Sequence, residues 1–302
     1  RLIMTKHFTD FDDYSYQVLQ KIIDSAIALK NEHKSGIVND SLKNKTLAMI
    51  FDKSSTRTRV SFEAGMTQLG GHSIFLSDKD IQLGRGEPII DSAIVVSSMV
   101  DVVMLRISSH EDIIEFSKHS SKPVINALSD QSHPCQILSD LMTYQELRGS
   151  IRGKKIAWIG DGCNVCQTYM QAAEIFGFEL NIATPEGYQP SQRFIDNYQS
   201  NISYYTDPID ACDGADIVAT DVWTSMGKES EKKQRLNAFK GYQVDQKMMS
   251  VAKSDALFMH CLPAHRGEEV STEVIDGKQS AVWVEAENRL HAQKALLLHL
   301  IG

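Results

Sequence analysis

Apolar positions along the chain fall into two alternating patterns. Short, continuous apolar runs lie at 46–51, 102–107 and 123–127 in the first half, and at 155–159, 179–183, 216–220 and 256–262 in the second. Between them are amphipathic stretches at helical spacing, such as 60–69, which stops at Gly70-Gly71, and 134–147. Buried strands alternating with helices predict parallel sheets covered on their faces. The expected fold class is therefore α/β, with two domains, each a mostly parallel sheet flanked by helices, and an active site in the cleft between them. In open α/β sheets ligands sit beyond the carboxyl ends of the strands, so polar residues at those ends carry the functional reading.

The segment Arg148-Gly149-Ser150-Ile151-Arg152-Gly153 follows a helical stretch and precedes a fresh strand. It places the domains at 1–147 and 148–287. The final stretch, 288–302, reads as a helix that packs back on the first domain and completes it. No internal repeat or low-complexity tract interrupts this order.

Composition narrows the function classes. A length of 302 residues accommodates two domains with their own cores, and 42% hydrophobic with 23% charged residues describes a folded, soluble protein. A formal net charge of −8 argues against a nucleic-acid partner, which selects a basic face. The longest apolar runs are too short to span a bilayer, and the opening residues show no apolar leader core. Five cysteines, thinly spread, suit reduced thiols and a cytoplasmic location rather than a disulfide scaffold.

The strongest local signal is Ser54-Ser55-Thr56-Arg57-Thr58-Arg59, directly after a strand and at the opening of a helix. Outward-facing N–H groups and the helix dipole favour an anion there, and the hydroxyls of Ser55, Thr56 and Thr58 with an arginine fork suit a phosphate. An ordinary Ser/Thr cap needs only one hydroxyl, not three interleaved with two cations. Arg106 stands at the end of another strand. His133-Pro134-Cys135-Gln136 opens the next helix, where proline is pre-organised for the first turn. In the second half, Asp221 follows a strand and can receive a substrate ammonium, or cap a helix before the charged stretch 228–235. His260-Cys261-Leu262-Pro263 ends the last strand, where a free cysteine is ordinarily a small buried apolar residue.

Gly160-Asp161-Gly162-Cys163-Asn164-Val165 begins like a dinucleotide fingerprint, but Val165 stands where the third glycine is needed, so a nicotinamide-dependent dehydrogenase is disfavoured. Cys163 and Cys166 form a Cys-x-x-Cys without a second ligand pair at zinc spacing, so no metal is expected.

Taken in order, these motifs resemble the aspartate/ornithine carbamoyltransferase family over essentially the whole chain. Ser55-Thr56-Arg57-Thr58 resembles its phosphate loop, His133-Pro134-Cys135-Gln136 its His-Pro-x-Gln, and His260-Cys261-Leu262-Pro263 its His-Cys-Leu-Pro. Glu287-Asn288-Arg289 resembles its late arginine motif. Asp221-Val222-Trp223-Thr224-Ser225-Met226-Gly227 is similar to the loop of the ornithine-using members. The resemblance implies carbamoyl transfer from carbamoyl phosphate to L-ornithine, giving citrulline and phosphate in arginine metabolism, with no cofactor.

It implies that Ser55, Thr56, Arg57, Thr58, Arg106, His133, Gln136, Cys261, Leu262 and Arg289 hold carbamoyl phosphate. Asn164, Asp221, Ser225 and Met226 are implied to hold ornithine, and Arg106, His133, Cys261 and Asp221 to act in catalysis. Asp78-Lys79-Asp80-Ile81-Gln82-Leu83-Gly84 resembles a loop that reaches a neighbouring subunit's site. Gln82 would then bind carbamoyl phosphate across an interface in a homotrimer or a multiple of trimers. Cys163 departs from the asparagine that such members carry there. The alternatives are another amine acceptor (putrescine, acetylornithine or aspartate) or a non-catalytic binding protein on the same fold.

Overall fold

The computed structural model describes residues 6–77, 87–224 and 231–302. They form two compact units, Arg1–Met142 with Asn288–Gly302, and Thr143–Glu287. The division falls inside a helix, a few residues before the 147/148 boundary expected from sequence.

The first unit opens with α1 (Tyr16–Lys34) and continues through β1 (Thr46–Phe51), α2 (Thr56–Gln68), β2 (His72–Ser77), α3 (Ile89–Met99), β3 (Val102–Arg106), α4 (His110–His119) and β4 (Val124–Leu128). Helix α5 (Pro134–Arg148) then leads into the second unit. The strands pair in parallel in the order β2-β1-β3-β4. Ala48, Ile50, Val103 and Leu105 from the sheet bury against Ala93 of α3 and Ile113 and Phe116 of α4. Helix α2 begins at Ser55, whose side chain accepts from Thr58 N–H, and ends where Gly70 turns left-handed at φ +80°.

In the second unit β5 (Lys155–Ile159), α6 (Asn164–Phe176), β6 (Glu179–Ala183), α7 (Gln192–Asn197), β7 (Ile202–Tyr205), α8 (Pro208–Cys212) and β8 (Ile217–Thr220) come first. Then follow α9 (Lys232–Ala238), α10 (Gln246–Val251), β9 (Leu257–His260), α11 (Thr272–Ile275) and α12 (Val282–Ile301), whose latter part belongs to the first unit. The sheet is again parallel, in the order β7-β6-β5-β8-β9.

Each strand order reverses once, between β1 and β3 in the first sheet and between β5 and β8 in the second. Those reversals mark where ligands bind in such sheets. The loops leaving β1 and β5, and the last residues of β3 and β8, are the segments that the sequence singled out.

Two strands, β2 and β7, lie outside the continuous apolar runs. Both are edge strands with part-exposed side chains, so neither forms a continuous apolar run. Other ends move by a few residues. The run 102–107 stops at Arg106, 123–127 shifts to Val124–Leu128, and 216–220 starts at Ile217 because Asp216 caps β5 by accepting from Lys155 N–H. The run 256–262 is strand only from Leu257 to His260, because Leu262 turns left-handed. The last helix starts at Val282 rather than 288.

Candidate functional site

At the switch point of the first sheet, β1 delivers the chain to the N-terminus of α2, and β3 ends on Arg106, which is 6% exposed. The hydroxyl oxygen of Thr58 accepts from Arg106 Nη1 at 3.3 Å and from Arg289 Nη2 at 3.2 Å. Arg289 Nη1 also donates to Gln136 Oε1 at 2.7 Å, and Gln136 Nε2 donates to Asp140 Oδ1 at 2.9 Å. Four residues far apart in sequence are thus bound to one another around the first turn of α2.

His133, immediately before α5, is buried, and its pKa lies well below the ordinary 6.5. Burial is the main cause, followed by the positive charges of Arg289, Arg106 and Arg57. The imidazole is therefore neutral at neutral pH, beside three cations. Such a cluster is unfavourable on its own and is relieved by an anion. Arg57 rather than Arg59 belongs to this group. The Arg59 guanidinium lies over the Phe75 ring, 3.8 Å from its centroid, and pairs with Glu63.

A buried polar network braces the turn that carries His133. Asn126 Nδ2 donates to Thr9 O at 2.9 Å and to Ser132 Oγ at 3.0 Å, and His110 Nδ1 lies 2.9 Å from Ser129 Oγ. Sequence reasoning passed over these residues, although an asparagine inside the apolar run 123–127 was a readable signal.

In the second unit, Asp221 follows β8 and is 9% exposed. Its Oδ1 accepts from Val222 N–H at 2.7 Å and from the Cys261 thiol at 3.1 Å, and its Oδ2 accepts from the Cys163 thiol at 3.7 Å. Burial, then the Asp221 charge, pushes both thiols well above the usual range, so each stays protonated and acts as a donor. Cys166 is also held protonated, mainly by burial.

Cys261 and Leu262 lie in a turn held from three sides. His260 N–H donates to Glu285 Oε2 at 2.9 Å. Leu262 N–H donates to His260 Nδ1 at 2.9 Å, so the ring proton resides on Nε2, which faces Glu269 Oε1 at 3.0 Å. Leu262 is left-handed at φ +57°, a strained setting for a leucine. Asp221, His260 and Cys261 bring ligand-capable atoms within 4.8 Å of one another, but both imidazole nitrogens are already engaged in this turn.

The loop after β5 is closely packed. A Cβ on Gly162 would collide with the backbone of Gln189 and Pro190, so its glycine serves local packing. Asn164 opens α6, and its Oδ1 accepts from Val165 N–H at 2.9 Å. Asp161 pairs with Arg235 at 2.7 Å, and Arg235 also donates to Trp223 O at 2.8 Å. This arginine ties the loop after β5 to the loop after β8. Nothing in the sequence singled it out, because it ends the charged stretch 228–235 and carries no motif of its own. Gln82, Ser225 and Met226 lie outside the described residues.

Comparison with known proteins decides the family. Residues 6–146 match the carbamoyl-P binding domain of aspartate/ornithine carbamoyltransferases, and residues 152–300 match their Asp/Orn binding domain. The chain belongs to the aspartate/ornithine carbamoyltransferase family. The three-arginine cluster falls within the carbamoyl-P binding match apart from Arg289, and Asp221 with its two thiols falls within the Asp/Orn binding match. An ornithine carbamoyltransferase of Ruthia magnifica subsp. Calyptogena magnifica is 67% identical, covering 99% of this chain and 100% of the relative. The ornithine carbamoyltransferase structure from Burkholderia thailandensis is 50% identical with a TM-score of 0.92, covering 98% of each chain. That from Pyrococcus furiosus is 45% identical with a TM-score of 0.95, covering 99% of this chain and 98% of its own.

Proposed function

We propose that the chain transfers the carbamoyl group of carbamoyl phosphate to the side-chain amine of L-ornithine, giving L-citrulline and phosphate. The observation that supports this reading is a carboxylate, Asp221, directly after β8 and donor-bound to two thiols, which we read as the group that receives the substrate ammonium. An aspartate acceptor would need a cation at that place, and the relatives of 52–67% identity are named ornithine carbamoyltransferases. A putrescine acceptor would have no carboxylate for Asn164 to receive.

Ser55, Thr56, Arg57 and Thr58 take the phosphate at the start of α2, with Gln82 added from a neighbouring subunit. Arg106, His133, Gln136 and Arg289 surround the carbamoyl group, and the carbonyls of Cys261 and Leu262 accept from its amide. Asn164, Ser225 and Met226 hold the amino-acid end of ornithine. The free amine has a pKa of about 10.4 and arrives mostly as ammonium. Asp221 receives it, and the protonated state of the Cys261 thiol makes the carboxylate, rather than sulfur, the first acceptor of its proton. Attack of the neutral amine on the carbonyl carbon creates an oxyanion facing Arg106, His133 and Thr58. One such donor is worth about 2.7–4 kcal/mol of barrier. Collapse expels phosphate, whose leaving oxygen takes the second proton from the attacking nitrogen, with no covalent enzyme intermediate and no cofactor.

Exposed apolar side chains on α2, edge strand β2 and α3 (Val60, Ile74, Ile94, Val95 and Met99) support self-association through the first unit, read as a homotrimer. Five free thiols support a cytoplasmic enzyme of arginine biosynthesis. Among the described residues no helix is long and apolar enough to cross a membrane. Incubating the protein with carbamoyl phosphate and ornithine is expected to release citrulline and phosphate one for one. Phosphate release without citrulline would overturn the reading.

A further inference from the structure

Position 163 departs from the asparagine expected there, and its side chain takes part in the Asp221 cluster. Asp221 Oδ1 is held by a backbone N–H and by the Cys261 thiol, whereas Oδ2 is met by the Cys163 thiol at 3.7 Å. The sulfur of Cys163 in turn accepts from Cys166 N–H, which leaves its own hydrogen directed at the carboxylate.

We propose that Cys163 is a positioning residue for Asp221, fixing the rotation of the carboxylate that receives the ornithine ammonium. The terminal torsion of an aspartate is broad, so anchoring one oxygen leaves the other free to swing. A donor on the second oxygen removes that freedom. A thiol is a weak donor, and two of them orient the carboxylate while leaving most of its negative charge for the substrate. An amide at position 163 would compete more strongly for Oδ2. The proposal rests on Asp221 as the ammonium-receiving group.

The test compares full-length C163A, C163S and, separately, D221N. Steady-state kinetics for ornithine, calorimetric binding of carbamoyl phosphate and the unfolding midpoint are measured for each. C163A is expected to lower kcat/KM for ornithine by roughly ten- to a hundredfold, the cost of a reacting group displaced by a fraction of an ångström to an ångström. Its carbamoyl-phosphate affinity and unfolding midpoint stay at the parent values, and C163S, which keeps a donor at nearly the same volume, restores most of the loss. Parent-like ornithine kinetics in C163A, beside an inactive D221N, overturn the role of Cys163 while leaving that of Asp221 intact. Parent-like activity in D221N overturns the reading on which the proposal rests. If C163A unfolds or loses carbamoyl-phosphate binding equally, folded C163S becomes the deciding variant, and its failure to keep most of the parent activity overturns the proposal.

Discussion

Arg289, on the last helix, donates from Nη2 to the Thr58 hydroxyl in the first turn of α2 at 3.2 Å, across a sequence separation of 231 residues. The same guanidinium holds Gln136 at the start of α5 at 2.7 Å. The end of the chain therefore fixes the geometry of a loop formed near its beginning. Arg289→Ala is expected to weaken carbamoyl-phosphate binding and lower kcat together, because it removes a charge and releases Thr58 and Gln136. Unchanged calorimetric affinity in this variant would remove Arg289 from the anion site.

Arg57→Ala should act mainly on carbamoyl-phosphate binding. A charge-assisted arginine contact to phosphate contributes roughly 1.5–3 kcal/mol, so affinity should fall by about ten- to a hundredfold. Arg59→Ala, whose side chain is turned onto Phe75 and Glu63, should change binding far less. Equal losses in both variants would place the phosphate differently along α2.

His133 gives a pH-dependent signature. Its folded pKa is depressed below the ordinary 6.5, so above that value both states are neutral and its environment imposes no proton penalty. As pH falls below 6.5 the unfolded chain takes up a proton that the folded one refuses, and stability drops towards the folded pKa. Thermal midpoints between pH 7 and pH 5 should therefore fall less steeply in His133→Gln than in the parent. Parallel slopes would show that His133 titrates normally.

Arg235→Ala removes the buried cation facing Asp161 and the donor to Trp223 O. Breaking a buried ion pair from one side costs about 3–5 kcal/mol. The unfolding midpoint should fall and KM for ornithine should rise, with carbamoyl-phosphate affinity retained. A variant with parent stability and parent KM would show that the two loops do not depend on this arginine.

The shared-site reading of Gln82 is open to complementation. Two inactive variants, one with a severe change at Gln82 and one at Arg106, should regain activity when co-assembled, since some hybrid sites take the loop from one chain and the rest from another. Mixed oligomers that form yet stay inactive would mean that each site is built within one chain.

The α/β class and most central strands were legible because buried parallel strands are continuous apolar runs, as at 46–51 and 155–159. Edge strands β2 and β7 were not, because exposure on one side dilutes the pattern. The residues now placed around Thr58 were legible as separate motifs at strand ends and helix starts. Their mutual contacts were not, since nothing local in the sequence says that Arg289 reaches Thr58. Arg235 was hidden for the opposite reason: it sits in a charged run, and only tertiary packing shows that this member of the run is buried.

A competition among amines settles the acceptor. Ornithine, acetylornithine, putrescine, lysine and aspartate are offered together at equal concentration with carbamoyl phosphate, and the ureido products are separated and counted. Citrulline should dominate, and its formation should be lost in Asp221→Asn. A dominant product from putrescine or aspartate in the parent enzyme would contradict the assignment of ornithine to the Asp221 side of the chemistry.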